Sequence, residues 1–126
     1  MSKILIVDDS ALVCDWVAQA LATFRIASTS CTSPFGIARR VVEEAPDLVL
    51  LDVNMPGLSG KSVCRILKKA DPKLKVVLFS AMDPDSLRAA ATESGADGFV
   101  VKTQRPATLA MAINAHLNPG ATRCRA

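Results

Sequence analysis

Aromatic side chains are scarce in this 126-residue chain: four Phe, one Trp and no Tyr, 4% in all. That is poor material for the stacked-base platforms that hold single-stranded nucleic acid. The four cysteines, Cys14, Cys31, Cys64 and Cys124, contain no C-x-x-C pair, and no histidine stands near them to complete a zinc site. They are read as reduced thiols. No apolar run is long enough to cross a bilayer. After Met1-Ser2-Lys3 only four apolar residues precede Asp8 and Asp9, too few for the apolar region of a signal peptide. The expectation is a cytoplasmic protein with no membrane contact. Neither G-x-G-x-x-G nor G-x-x-x-x-G-K occurs, so nucleotide binding has no motif to support it.

Apolar residues are plentiful: hydrophobic side chains make up 50% of the chain and charged ones 21%, with a mean hydropathy of +0.29. A disordered chain is excluded, and the length suits one packed domain. The formal net charge of +3 is mostly a tail effect, because Arg123 and Arg125 lie in the last four residues. One basic cluster remains, Lys61, Arg65, Lys68, Lys69, Lys73 and Lys75, interrupted only by Asp71 among charged residues. At helical spacing Lys61, Arg65 and Lys68 share a face, which is read as a solvated helix surface with no direct nucleic-acid contact.

Five short apolar runs punctuate the chain: Ile4 to Val7, a weaker one from Ile26 to Cys31, Leu48 to Leu51, Val76 to Phe79 and Phe99 to Val101. Segments of helical length lie between them. Ser10 caps a first helix running to about Phe24, Ser33-Pro34 opens a second that closes before Pro46, and Ser59-Gly60 starts a third ending near Ala70. Asp83-Pro84 begins a fourth with Gly95 as its stop, and Pro106 a fifth ending before Pro119-Gly120. Nearly continuous apolar strands joined by helices predict a doubly wound parallel α/β sandwich. Residues 1–118 form the domain on this reading, and 119–126 a tail or linker stub.

Function in such a sheet is expected beyond the carboxyl ends of the strands. Asp8 and Asp9 follow the first apolar run, Asp52 the third, Ser80 the fourth and Lys102 the fifth. Taken alone, each has an ordinary structural use as a cap, a loop hydroxyl or a surface lysine. Four matching strand ends on one rim point elsewhere. Three converging carboxylates repel one another unless a cation sits among them, and all-oxygen ligands favour Mg²⁺ or a similar ion such as Mn²⁺. A metal, an ammonium and a hydroxyl together meet the needs of a transferring phosphoryl group, with Asp52 as the nucleophile that becomes an aspartyl phosphate.

These residues carry a resemblance. Leu5-Ile6-Val7-Asp8-Asp9-Ser10, the run from Pro46 through Asp52 to Gly60, Phe79-Ser80-Ala81 and Gly95-Ala96-Asp97-Gly98-Phe99-Val100-Val101-Lys102 are similar, in order and spacing, to the receiver domain of bacterial two-component response regulators. The likeness spans residues 2 to 118. It implies a CheY-like, flavodoxin-like three-layer sandwich with five helices around a five-stranded parallel sheet of order 2-1-3-4-5. It implies that Asp52 accepts phosphate from a histidine kinase or histidine phosphotransfer protein, and that Asp9, Asp52 and the main-chain carbonyl of Asn54 ligate Mg²⁺, Asp8 acting mainly through metal-bound water. Lys102 and Ser80 would bind phosphoryl oxygens. Phe99 would be the switch aromatic, turning into space that Ser80 vacates, so that the face of helix 4, strand 5 and helix 5 changes its affinity for a downstream protein. Asn54 and Met82 would tune the phosphoryl lifetime. The chain would then be a switch that catalyses only its own phosphorylation and dephosphorylation. The resemblance leaves open the cognate kinase, the output partner and a phosphorylation-dependent homodimer.

Three departures from the family stand out. Thr103 follows Lys102 where Pro is usual, so a trans bond and a differently shaped loop toward Pro106 are expected. Ser80 stands where Thr is commoner, without the methyl group that stiffens the rotamer. Cys14 and Asp15 occupy the early first helix where a basic residue is often seen. Among other readings, a dehalogenase-type phosphatase needs Asp-x-Asp, and Ser10 stands two positions after Asp8. FMN binding conflicts with two carboxylates after strand 1. A receiver excised from a longer regulator and one that signals without phosphorylation stay open, as does the role of the nearly uncharged fifth helix (Leu109, Ala110, Met111, Ile113) as an apolar interface or a packed helix. No output module fits in the chain beside the receiver motifs, so if the chain is complete its output is expected to be a changed surface offered to another protein.

Overall fold

The computed structural model of the chain describes residues 2–102 and 105–118. Strands and helices alternate: β1 (Lys3–Val7), α1 (Ala11–Ala22), β2 (Ala27–Cys31), α2 (Ile37–Glu44), β3 (Leu48–Asp52), α3 (Gly60–Ala70), β4 (Lys75–Ser80), α4 (Pro84–Ser94), β5 (Gly98–Val101) and α5 (Pro106–Leu117). Every pairing is parallel and the order is β2-β1-β3-β4-β5. Both the predicted sandwich and its strand order are therefore present. Thr103, the tail 119–126 and Cys124 lie outside the described residues.

The uninterrupted apolar strands follow from burial on both faces. Successive side chains point to opposite sides, so Leu5, Val7, Val49, Leu51, Val76 and Leu78 pack with Ile37 of α2, Val63 and Leu67 of α3 and Leu87 of α4. Ile4, Ile6, Leu48, Leu50, Val77 and Phe79 pack with Val17 and Leu21 of α1 and Leu109 and Ile113 of α5. Each fully buried Leu or Ile contributes about 1.5–3 kcal/mol. Edge strand β2, Ala-Ser-Thr-Ser-Cys, has no fully buried residue, in keeping with the weakness of its run.

Helix starts gather at the carboxyl rim. The Ser10 hydroxyl accepts the Val13 amide (3.3 Å), that of Ser59 the Ser62 amide (3.2 Å), and the Asp83 carboxylate the Ser86 amide (3.0 Å). Such caps contribute about 1 kcal/mol each. Pro84 and Pro106 occupy the first helical turns as expected, and Gly95 closes α4. The first helix ends at Ala22, slightly before Phe24. The start of α2 is a correction. Ser33 does not cap it; its hydroxyl accepts the Phe35 amide instead (3.2 Å), and the helix begins at Ile37 from Gly36, held at φ +81° with no side-chain cap. A local serine turn competes with helix capping for the same group.

The basic run on α3 is partly tied down. Lys61 pairs with Glu93 (3.2 Å) and Lys68 with Asp97 (3.0 Å), and Asp97 also accepts the Val76 amide (2.8 Å). On α5, Leu109, Ala110 and Ile113 are buried, while Met111 is exposed.

Gly60 is the tightest approach near the rim. A Cβ there would collide with the Asp52 carbonyl oxygen and stand 2.7 Å from Val53 Cα, backbone that cannot swing away. Gly60→Ala should cost about 2–3 kcal/mol, read as a lower urea midpoint; an unchanged midpoint would show that the α3 start can shift freely.

His116 lies with its ring against Gly98, and the Lys75 ammonium donates to its carbonyl. Burial first, then the Lys75 charge, push its pKa below the ordinary 6.5, while Asp97 opposes them. The folded state thus favours neutral imidazole: its stability is full above pH 6.5 and declines as pH falls through the lower folded value. Glu44 acts in a separate window. Hydrogen bonds from Thr29 and then Arg40 hold its carboxyl at about 2 against an ordinary 4.5, so its contribution is present above 4.5 and lost toward 2. Stability measured against pH should flatten between 7 and 5.5 in His116→Gln and keep its slope there in Glu44→Gln.

Candidate functional site

Parallel strands end on one rim, so their terminal residues are brought together whatever their separation in sequence. Asp8 stands directly beyond β1, with its amide donating to the Cys31 carbonyl (3.2 Å). Asp52 and Ser80 are the last residues of β3 and β4, and Lys102 directly follows β5 with its amide on the Ser80 carbonyl (2.8 Å). Carboxylate oxygens of Asp8, Asp9 and Asp52 lie within 4.8 Å of one another. Asp8 is fully buried, Asp52 nearly so, and Asp9 exposed. One wall of the cluster is therefore open to solvent.

The charges are only partly offset. The Lys102 ammonium is 2.7 Å from Asp8 Oδ2 and 3.4 Å from Asp52 Oδ1. Asp8 Oδ1 accepts the Ser10 amide (2.9 Å), whereas its Oδ2 has no aligned hydrogen-bond donor and meets the ammonium as a charge contact. Asp52 Oδ1 also accepts the Asn54 amide (3.1 Å). Burial raises the Asp52 pKa and the Asp8 charge adds to this, against the Asn54 amide and Lys102. For Lys102, burial alone would lower the pKa, but the close contact with Asp8 and the two carboxylate charges outweigh it, and the net direction is upward. Three carboxylates around one ammonium leave negative charge uncompensated, and the all-oxygen donor set with a poorly satisfied Asp8 oxygen fits a hard divalent cation.

Strand parity sorts the remaining residues. Leu48, Leu50 and Asp52 alternate onto the α1/α5 side, as do Ile4, Ile6 and Asp8. Ser80 continues Val76 and Leu78, which pack on the α2–α4 side. The pairings Leu78 with Phe99 and Ser80 with Val101 put Phe99 on the same side as Ser80. The Ser80 hydroxyl accepts the Met82 amide (3.2 Å), so it is engaged by its own loop. Phe99 is half-buried, with the Arg88 guanidinium 5.6 Å from its ring centre. Asn54 and Met82 line one cleft with Ser59, Lys61 and Glu93, between the β3–α3 loop and α4.

Some neighbours were not read as parts of the site. The Cys14 thiol donates to the Asp8 carbonyl (3.5 Å), and its pKa is raised by burial and then by Asp8. Leu12, Val13, Trp16, Phe79 and Lys102 line an apolar cavity of about 220 Å³ beside the cluster. Leu12, Val13 and Trp16 at helical spacing were the available signal, but an apolar stripe on a helix ordinarily marks core.

Comparison with known proteins shows the family and the fold. The family model for the response regulator receiver domain matches residues 4–114. The transcriptional regulatory protein RstA of Escherichia coli is 34% identical over 117 residues, covering 93% of this chain and 48% of RstA. The response regulator PleD of Caulobacter vibrioides is 40% identical over 105 residues, covering 80% of this chain and 23% of PleD. This chain thus spans half or less of these curated relatives. The beryllofluoride-activated N-terminal receiver domain of Klebsiella pneumoniae RstA superimposes with a TM-score of 0.84 at 30% identity, covering 92% of this chain and 98% of that one.

Removing the ammonium should expose the carboxylate repulsion. In metal-free buffer with chelator, Lys102→Met is expected to lower stability by about 2 kcal/mol, and adding Asp8→Asn should restore much of it. Two additive losses in the denaturation curves would mean that the ion pair does not hold the rim.

Proposed function

We propose that this chain, which belongs to the response regulator receiver domain family, is a phosphoacceptor switch in which Asp52 takes a phosphoryl group from the phosphohistidine of a histidine kinase or phosphotransfer protein. The observation that carries the reading is the convergence of Asp8, Asp9, Asp52 and Lys102 within a few ångströms at one strand rim. An Asp52 carboxylate oxygen attacks phosphorus, the P–N bond breaks with its electron pair going to the imidazole, and an acyl phosphate remains. The Asn54 amide and Lys102 both address Oδ1, which leaves Oδ2 with free lone pairs as the nucleophile.

Asp9, Asp52 and the Asn54 carbonyl would hold Mg²⁺, or Mn²⁺ in its place, with Asp8 acting through water in its shell. The ion supplies electrostatic stabilisation of the oxygens around phosphorus. Lys102, already charged and seated between Asp8 and Asp52, needs only to exchange a carboxylate for a phosphoryl oxygen. Ser80 reaches the phosphate by giving up the Met82 amide, a rotation of one side chain. Phe99, on the same sheet side, then turns inward and takes the Arg88 contact with it, altering the surface of α4, β5 and α5. That changed surface is the output, read by another protein. Asn54 and Met82 flank the cleft by which water reaches the acyl phosphate and set its lifetime.

Intact mass after incubation with a small phosphodonor and Mg²⁺ should show one added phosphoryl group, abolished by Asp52→Asn. Equal uptake by the variant would remove the assignment. Beryllofluoride should move the Phe99 ring inward, and a ring left in place would confine the response to the rim.

A further inference from the structure

Phe35 is an apolar ring left 66% exposed, yet its tip is not free. Its Cε2 and Cζ both stand 3.1 Å from where a Cβ on Gly57 would lie, so the ring rests on that glycine. Gly57 has φ +90° in the turn between β3 and α3, a conformation that side-chain-bearing residues rarely adopt. The contact joins the loop after β2 to the loop after β3. Because β1 lies between those strands, the contact ties together the two loops that flank the end of β1, after which Asp8 and Asp9 stand.

The Phe35 side is braced. The Ser33 hydroxyl accepts the Phe35 amide (3.2 Å), and the Cys31 thiol donates to the Ser33 carbonyl (3.0 Å), while Pro34 is buried. The Gly57 side is anchored on either side of the exposed pair Pro56-Gly57, with Met55 in the core and Leu58 packed against it. Asn54 donates to Asp52 Oδ1 (3.1 Å), Met55 is buried, and Gly60 donates to the Val53 carbonyl (2.9 Å). Pro56 and Gly57 are exposed, and Phe35 bears on this exposed middle of the turn.

We propose that Phe35 is a positioning residue for metal binding: by bearing on Gly57 it holds the β3–α3 turn in the one arrangement that aims the Asn54 carbonyl at the Asp9–Asp52 carboxylates. This rests on the phosphoacceptor reading above. A loop held in place loses less freedom when the ion arrives, and supports behind metal ligands commonly carry about 10–100-fold in affinity.

The test combines two measurements on the whole chain. Amide hydrogen exchange without metal should be faster at residues 54–58 in Phe35→Ala than in the unaltered protein, and calorimetric titration with Mg²⁺ should show affinity weakened about tenfold. Phe35→Leu, which keeps an apolar side chain over Gly57, should recover most of both, whereas simple loss of global stability would speed exchange throughout the sheet. Unchanged exchange at 54–58, or unchanged Mg²⁺ affinity, in Phe35→Ala overturns the proposal. Failure of the unaltered protein to bind Mg²⁺ would instead overturn the phosphoacceptor reading, with faster exchange in Phe35→Ala still supporting the clamp on the turn.

Discussion

Crowded negative charge at the carboxyl rim governs the rest of this molecule. Asp8 and Asp52 are withdrawn from water and share a space less than 5 Å across with Asp9, against one ammonium from Lys102. Charges so placed are costly unless paired or joined by a cation. The fold tolerates the arrangement because everything beneath it is close-packed and apolar on both sides of the sheet, so the strands that carry these groups cannot separate to relieve the repulsion. The unfavourable charge is held in reserve for a ligand that completes it.

Strand pleating divides the rim residues between the two faces of the sheet. Asp8 and Asp52 have the parity of the α1/α5 side, while Ser80 and Phe99 have that of the α2–α4 side. On the proposed function, a phosphoryl group on Asp52 that drew Ser80 across would couple one face of the sheet to the other through a single hydroxyl. Arg88 over the Phe99 ring connects that movement to the surface of α4. Lys61 with Glu93 and Lys68 with Asp97 tie α3 to α4 and to the turn that leads into β5.

Most elements were legible because their signals are local. Ile4 to Val7 and Leu48 to Leu51 are apolar runs bounded by polar residues, and Ser10, Ser59 and Asp83 are caps whose partners lie three residues ahead. The start of α2 was not legible, because Ser33 can serve either a helix amide or its own turn, and only the surrounding packing, with Pro34 buried and Phe35 on Gly57, decides between them. Site residues were legible as types and positions: an acid, a hydroxyl or an ammonium directly after each of four apolar runs. Their present contacts were not. That Lys102 bridges two carboxylates is a relation between segments far apart in the chain, and even the nearer contacts, Ser80 with Met82 and Cys14 with Asp8, depend on side-chain directions that the folded packing sets.

By itself, then, the amino-acid order determined the alternation of strands and helices, the parallel sheet that follows from strands apolar on both faces, and the set of residues delivered to its carboxyl rim. These depend on spacing of 2 and 3.6 residues and on short-range capping, which a linear chain contains. Tertiary structure alone decided how far Asp52 is buried, which carboxylate oxygen Lys102 addresses, which way Ser80 turns, and that an exposed phenylalanine rests on a glycine of another loop. Such features depend on distances and dielectric surroundings set mostly by residues far apart in the chain, as Asp8 and Lys102 are, and only the folded packing fixes them.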